Sequence, residues 1–221
     1  MVIEKIMGDI IELAHLHADW VVGVEGNVSG KISEDLMMIK ASGKKLENLT
    51  NEDLVSCYLD GNSYEVDRIP SMESPFHGWI IQNLGANFVA HTHPKNSMVL
   101  LCGSRFQEFA YERFFPDQVV FNGVESCLVP YAHPGEELFF EIQSSVLNFQ
   151  KLHKQPPKII LLQNHGIITW GKTVGECLIK TQICEKSAYI LSRCSNPNPL
   201  SDEQIAKIEY DQKEKFRQNA N

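Results

Sequence analysis

Short apolar runs with β-strand character alternate with amphipathic helical segments along most of this chain, and this pattern restricts its fold. Residues 2–18 carry apolar side chains at helical spacing, whereas residues 87–93 and 158–162 are short apolar runs typical of buried strands. An apolar strand has to be covered by other elements. The pattern therefore predicts a sheet layered with helices, of the α/β or α+β class.

Caps and turn signals predict the remaining elements. Further extended runs are predicted at residues 21–24, 36–39, 54–59, 119–121 and 127–131. Further helices are predicted from a Ser71 cap to a stop at Gly85, at 97–102 and 135–152, from a Thr173 cap to about Cys194, and at about 200–217. Since no linker or repeat interrupts the sequence, we expect a single domain over residues 1–221.

The composition argues against several classes of function. The 221 residues carry a net charge of −8, which leaves no basic face for a nucleic acid partner. No apolar run reaches the roughly 18 residues that a membrane span needs, and the N-terminus lacks the apolar core of a signal peptide. Six cysteines occur without a CxxC pair, which is typical of reduced thiols, so we expect a cytoplasmic protein.

Three histidines at strand ends are candidate metal ligands. His91 and His93 lie on one face of a predicted strand, because side chains repeat every second residue. His165 follows the apolar run 159–163, and Gly166 after it allows a sharp turn. Three histidines can form an open zinc site, but the spacing fits hydrogen-bonded structural histidines and a turn residue equally well.

Polar residues near helix starts and turns are the next candidates. Glu73 falls in the first turn of the helix after Ser71. It could be a surface carboxylate that stabilises the helix start, or a general base beside a metal. The segments Gly26-Asn27-Val28-Ser29 and Ser42-Gly43-Lys44 have the composition of turns and could supply backbone N–H groups to a phosphate. His77, one helical turn after Glu73, is predicted to be a buried structural histidine.

Five stretches in sequence order resemble the class II aldolase/adducin family, and in particular its fuculose-1-phosphate aldolase type. They are GNVSGKI (26–32), IKASGKKLENLT (39–50), PSMESPFH (70–77), VAHTHP (89–94) and LLQNHGIITWG (161–171). The resemblance runs from about residue 5 to residue 206. It implies a three-layer α/β/α sandwich around a largely antiparallel central sheet. It also implies a homo-oligomer, commonly a tetramer, with the active site at a subunit interface.

The resemblance also implies roles for individual residues. His91, His93 and His165 correspond to the family's zinc ligands, a site that Mn²⁺ or Co²⁺ could also fill, and Glu73 corresponds to its catalytic acid/base. The positions that match the family's phosphate site are Gly26, Asn27, Ser42, Gly43 and Ser71. The implied activity is reversible aldol cleavage of a small ketose 1-phosphate to dihydroxyacetone phosphate and an aldehyde.

Other activities of the same family stay open. A methylthioribulose-1-phosphate dehydratase or a pentulose-phosphate 4-epimerase would use the same metal site, whereas an adducin-like interaction module would have lost catalysis. Adducin heads lack the intact histidine set, which this chain retains, and this favours an enzyme. Three features depart from the aldolase pattern: Glu25 replaces a small residue, Met72 replaces a second serine, and the catalytic tyrosine has only Tyr111 as an out-of-register candidate.

Overall fold

A seven-stranded mixed sheet forms the centre of the fold in the computed structural model, which describes residues 2–64, 67–211 and 213. Its strands are β1 (Asn27–Lys31), β2 (Leu36–Lys40), β3 (Leu54–Tyr58), β4 (Phe88–Thr92), β5 (Cys127–Val129), β6 (Ile160–Leu162) and β7 (Gly166–Gly171). Their spatial order is β3-β2-β1-β4-β7-β6-β5, and only the β5–β6 pair is parallel. This confirms the expected α/β fold with a largely antiparallel sheet.

Helices cover both faces of the sheet. They are α1 (Val2–His17), α2 (Ser74–Asn83), α3 (Lys95–Leu101), α4 (Phe106–Tyr111), α5 (Pro116–Asn122), α6 (Glu136–His153), α7 (Val174–Arg193) and α8 (Asp202–Tyr210). Helices α2 and α6 bury one face, and α1, α3, α4 and α7 pack on the other. Because both faces are covered, strands such as β6 are apolar at every position, which is what the sequence pattern indicated.

Strand register brings the candidate site residues side by side. His91 of β4 lies opposite Asn27 of β1 on one side and Ile168 of β7 on the other. His165 lies in the tight hairpin between β6 and β7, where Asn164 adopts a left-handed conformation with φ of 56°. The sharp turn is thus made by Asn164, and Gly166 already belongs to β7, a strand that the sequence analysis did not predict.

The predicted strand at residues 21–24 is wrong, because these residues form a turn. Gly23 and Gly26 adopt left-handed conformations with φ of 64° and 67°, which interrupts the extended backbone that the valines favour. A Cβ atom on Gly26 would also lie 2.8 Å from the His91 carbonyl oxygen. The strand β1 begins only at Asn27, so Asn27 lies in a strand and not in the turn predicted from its composition.

The extended run predicted at residues 119–121 is also wrong, since these residues belong to helix α5. Pro116 occupies the first turn of α5, where its missing N–H leaves no hydrogen bond unmade. Burial of Val119 and its neighbours then outweighs the strand preference of β-branched residues. Helix α2 also starts later than predicted, because Glu73, and not Ser71, occupies its N-cap position.

The remaining helix predictions agree with the structure where it describes them. The Thr173 hydroxyl caps α7 by accepting a hydrogen bond from the Glu176 N–H at 3.1 Å. Gly85 follows the end of α2 with a φ of 65°. Of the predicted terminal helix at 200–217, α8 covers residues 202–210, and residues 212 and 214–217 lie outside the described part. None of the described helices is long and apolar enough to cross a membrane.

Candidate metal centre and active site

All nine residues that the sequence analysis singled out for the site line one pocket of about 290 Å³. They are Gly26, Asn27, Ser42, Gly43, Ser71, Glu73, His91, His93 and His165. Five further residues complete the lining, namely Val24, Glu25, Lys40, Met72 and Pro134. The pocket lies at the end of β4, on the face of the sheet that α2 covers, so strand register and one helix start together assemble it.

The three histidines form a compact cluster of nitrogen donors. One ring nitrogen from each of His91, His93 and His165 lies within 4.8 Å of the others. The Nε2 atoms of His91 and His93 are only 3.0 Å apart. The two Glu73 oxygens cap the cluster, with Oε2 3.4 Å from His91 Nε2 and Oε1 3.4 Å from His165 Nε2.

Polar contacts on the far side of the rings test whether this cluster fits a metal. His91 Nδ1 lies 2.9 Å from the Ile167 carbonyl oxygen, and His93 Nδ1 lies 3.3 Å from Glu25 Oε2. Both oxygens are acceptors, and the tautomer with the proton on each Nδ1 satisfies them and leaves a lone pair on each Nε2. Two lone pairs facing each other at 3.0 Å repel unless a cation lies between them. The donor set therefore fits a divalent cation of the zinc class.

Burial keeps the imidazoles of His91 and His165 neutral. It lowers the pKa of His91 well below the ordinary value, and the nearby His93 and His165 lower it further. Burial also lowers the pKa of His165, although the negative charge of Glu73 acts in the opposite direction. Since only the neutral ring can donate a lone pair to a metal, both shifts favour metal binding over protonation.

Glu73 is held by a buried chain of hydrogen bonds. Asn27 Nδ2 donates to Glu73 Oε2 at 2.7 Å and to Ser71 Oγ at 3.1 Å. Asn27 Oδ1 in turn accepts from His77 Nε2, while His77 Nδ1 lies 2.7 Å from Ser29 Oγ. His77 is fully buried, as predicted, and burial lowers its pKa well below the ordinary value. Because His77 orients the Asn27 amide, it contributes to the position of Glu73, which the sequence pattern did not indicate.

The residues predicted to bind phosphate differ in how many N–H and hydroxyl groups they have available to bind a ligand. Gly43 is exposed with a φ of 75°, and no acceptor in the described part of the chain binds its N–H. The Ser42 N–H already donates to the Ile69 carbonyl at 2.9 Å, which leaves its hydroxyl. The Ser71 hydroxyl accepts from Asn27 and from the Glu73 N–H at 3.4 Å. The Gly43 N–H is therefore available to a ligand.

Lys40 is a pocket residue that the sequence analysis did not single out. It is 2% exposed, and its Nζ donates to the Val24 carbonyl at 3.0 Å and to the Lys44 carbonyl at 2.5 Å. Burial lowers its pKa to about 8, against the raising effect of Glu73. The available signal was a lysine that ends an apolar strand two residues before Ser42.

Comparison with known proteins gives relatives with different names. The chain is 30% identical over 187 residues to an L-fuculose phosphate aldolase of Methanococcus maripaludis, covering 83% of this chain and 94% of that protein. It is 28% identical over 174 residues to a methylthioribulose-1-phosphate dehydratase of Bacillus pumilus, covering 72% and 77% respectively. The two names describe different reactions, so these relatives share a family and not one activity.

A solved structure and a family match agree with each other. The structure of an L-fuculose 1-phosphate aldolase superposes with a TM-score of 0.78 at 22% identity, covering 96% of each chain, which shows a common fold. Residues 9–192 match the family described as Class II Aldolase and Adducin N-terminal domain. This match covers most of the 221 residues. The chain belongs to the class II aldolase and adducin N-terminal domain family.

Proposed function

We propose that this chain is a metal-dependent lyase that cleaves a small ketose 1-phosphate in a reversible aldol reaction. The single observation that carries the proposal is the cluster of His91, His93 and His165, capped by the carboxylate of Glu73. A divalent cation such as zinc, when bound there, would stabilise the negative charge that develops on oxygen as the carbon–carbon bond breaks.

Glu73 is the group best suited to move the proton. Its side chain is 8% exposed, and both of its oxygens face the histidine cluster. Asn27 holds Oε2 from one side, so the carboxylate has a defined orientation toward the centre of the pocket. A carboxylate placed in this way can take the proton from the substrate in the synthesis direction and return it in the cleavage direction.

The two turns beside Lys40 support a phosphate subsite. The Gly43 N–H and the Ser42 hydroxyl face the same pocket as the Ser71 hydroxyl. Lys40 ties the turns together through the Val24 and Lys44 carbonyls and supplies a positive charge. Binding the phosphate there would fix the reacting carbons over the histidine cluster, which is the main entropic contribution to such catalysis.

A second candidate is dehydration of methylthioribulose-1-phosphate. The observation that favours it is the similarity to the Bacillus pumilus enzyme of that name. The same pocket serves this reaction, because Glu73 would again remove a proton next to a carbonyl, and water would leave in place of a carbon fragment. The retained histidine set and Glu73 support an enzyme over an adducin-like interaction module.

Product analysis with a panel of phosphorylated ketoses distinguishes these proposals. The zinc-loaded chain would be incubated with fuculose 1-phosphate, ribulose 1-phosphate and methylthioribulose 1-phosphate. We expect dihydroxyacetone phosphate and an aldehyde from at least one of the first two. Loss of water from the third without carbon–carbon cleavage would replace the aldolase proposal with the dehydratase. No product from the whole panel would contradict both.

A further inference from the structure

Glu25 brings a carboxylate against one of the three histidines. Its Oε2 lies 3.3 Å from His93 Nδ1 and accepts a hydrogen bond from the Val22 N–H at 3.0 Å. The Glu25 N–H in turn donates to the Val22 carbonyl at 3.2 Å. The carboxylate is thus held by its own turn, although its side chain is 44% exposed. These two contacts give the carboxylate a defined position, which an exposed side chain surrounded only by solvent would not have.

The same turn holds His93 at a second point. The His93 N–H donates to the Trp20 carbonyl at 3.0 Å, and Lys40 Nζ donates to the Val24 carbonyl. The residue before the turn is thus bound to the His93 backbone, the turn itself is bound to the Lys40 side chain, and Glu25 is the turn's contact with the imidazole.

We infer that Glu25 is a positioning residue for the metal centre. Its carboxylate holds the proton of His93 on Nδ1 and turns the Nε2 lone pair toward His91 and His165. His91 is held in the same way by the Ile167 carbonyl, whereas His165 Nδ1 has no hydrogen-bond partner among the described residues. This inference rests on the metal site of the proposed function.

The charge of Glu25 adds to this orientation. A carboxylate is a stronger acceptor than a carbonyl, so it fixes the orientation of a metal-binding imidazole more firmly. Loss of such a partner typically weakens metal binding about 10- to 100-fold. The family pattern has a small residue at this position, so the effect belongs to this chain and not to the histidine set alone.

The test is a zinc titration of the full chain after metal removal, against a chelating indicator. Glu25→Ala removes the acceptor, and Glu25→Gln keeps an acceptor oxygen without the charge. Asp19→Asn is the matched control, because it removes an exposed carboxylate from the same segment. We expect zinc affinity to fall about 10- to 100-fold in Glu25→Ala, less in Glu25→Gln, and less than about twofold in Asp19→Asn.

A spectroscopic readout separates orientation from general destabilisation. In long-range ¹H–¹⁵N spectra of the zinc-loaded protein, we expect His93 to carry its proton on Nδ1, and this signature to weaken in Glu25→Ala. Circular dichroism checks folding, and if Glu25→Ala does not fold, Glu25→Gln decides. Zinc affinity within threefold of the wild type in the folded variants would overturn the role of Glu25 alone. A wild-type chain that binds no zinc would overturn the metal site as well.

Discussion

At the scale of single residues, Glu73 combines a buried position with access to the histidine cluster. Replacing Glu73 with Gln preserves the shape, and the amide oxygen can still accept from Asn27, but the proton acceptor is lost. We expect turnover to fall about 10²- to 10⁴-fold while the metal content stays unchanged. Steady-state kinetics and elemental analysis measure the two quantities. Glu34→Gln is the control, because Glu34 forms an exposed ion pair with Lys31. Near-normal turnover in Glu73→Gln would show that another residue is the base.

Gly166 packs directly against the imidazoles of His91 and His93. A Cβ atom there would lie 2.5 Å from the Thr92 carbonyl oxygen, 2.6 Å from His93 Cδ2 and 3.1 Å from His91 Cε1. The Thr92 carbonyl belongs to a central strand and cannot shift freely. Residue 166 would therefore have to move, and the imidazoles packed against it would move as well. We expect Gly166→Ala to lower the free energy of unfolding by about 1–3 kcal/mol and to weaken zinc binding.

Gly8 is the matched control for this prediction. It lies in the middle of α1, and a Cβ atom there meets nothing within 4 Å. Gly8→Ala is expected to stabilise the helix by about 0.5–1 kcal/mol, because alanine loses less backbone entropy on folding. Urea denaturation measures both variants. Wild-type stability and zinc affinity in Gly166→Ala would contradict the close approach.

At the scale of elements, a buried histidine links α1 to α7 and the sheet. His17 Nδ1 donates to the Leu13 carbonyl at 2.8 Å, and Nε2 lies 3.1 Å from Thr181 Oγ1, which contacts Thr169 of β7 at 2.9 Å. Burial lowers the pKa of His17 to about 4, from an ordinary value of 6.5. The unfolded chain therefore binds this proton more tightly than the folded chain does.

This shift predicts a loss of stability in acid. The contribution of His17 is complete above pH 6.5 and is lost progressively as the pH falls from 6.5 toward 4. The shift corresponds to roughly 3 kcal/mol. We expect His17→Gln to remove most of this pH dependence of the free energy of unfolding, which urea denaturation measures. The other histidines are the same in both proteins, so their contributions cancel when the variant is compared with the wild type. His15 lies on the exposed side of α1, so His15→Gln should leave the pH dependence of stability unchanged. If the free energy of unfolding changes equally with pH in the wild type and in His17→Gln, the prediction is wrong.

At the scale of the whole molecule, apolar side chains surround the mouth of a polar pocket. Val24, Met72 and Val22 are 52%, 68% and 66% exposed, and the first two line the pocket itself. Exposed apolar groups that cluster in this way are typical of an interaction surface. With a net charge of −8, the chain would have to bind the proposed phosphorylated substrate through local donors, and a neighbouring subunit could add to them.

We therefore expect a homo-oligomer, in keeping with the tetramer implied by the family resemblance. Light scattering should give about four times the 25.0 kDa mass of the chain. Because the pocket mouth would lie at the interface, dilution that dissociates the oligomer should reduce turnover. A monomer with full turnover would contradict a shared site.

The sequence by itself determined the local features of this protein. Apolar runs predicted the strands that contain His91 and precede His165, Thr173 predicted the start of α7, and the family resemblance selected the residues proposed for metal and phosphate binding other than Lys40. These features depend on neighbours in the chain, through side-chain periodicity, capping and the conformational preferences of glycine and proline. They are therefore visible without a tertiary structure.

Only the tertiary structure decided which of these groups meet. The register between β1 and β4 places Asn27 beside His91. Packing around β2 buries the Lys40 side chain at the pocket, and the turn at 21–24 brings Glu25 into contact with His93. The same holds for α5, where packing outweighs a local preference for strand. Each depends on contacts between residues distant in sequence, whose energies outweigh local propensities of a few tenths of a kcal/mol per residue.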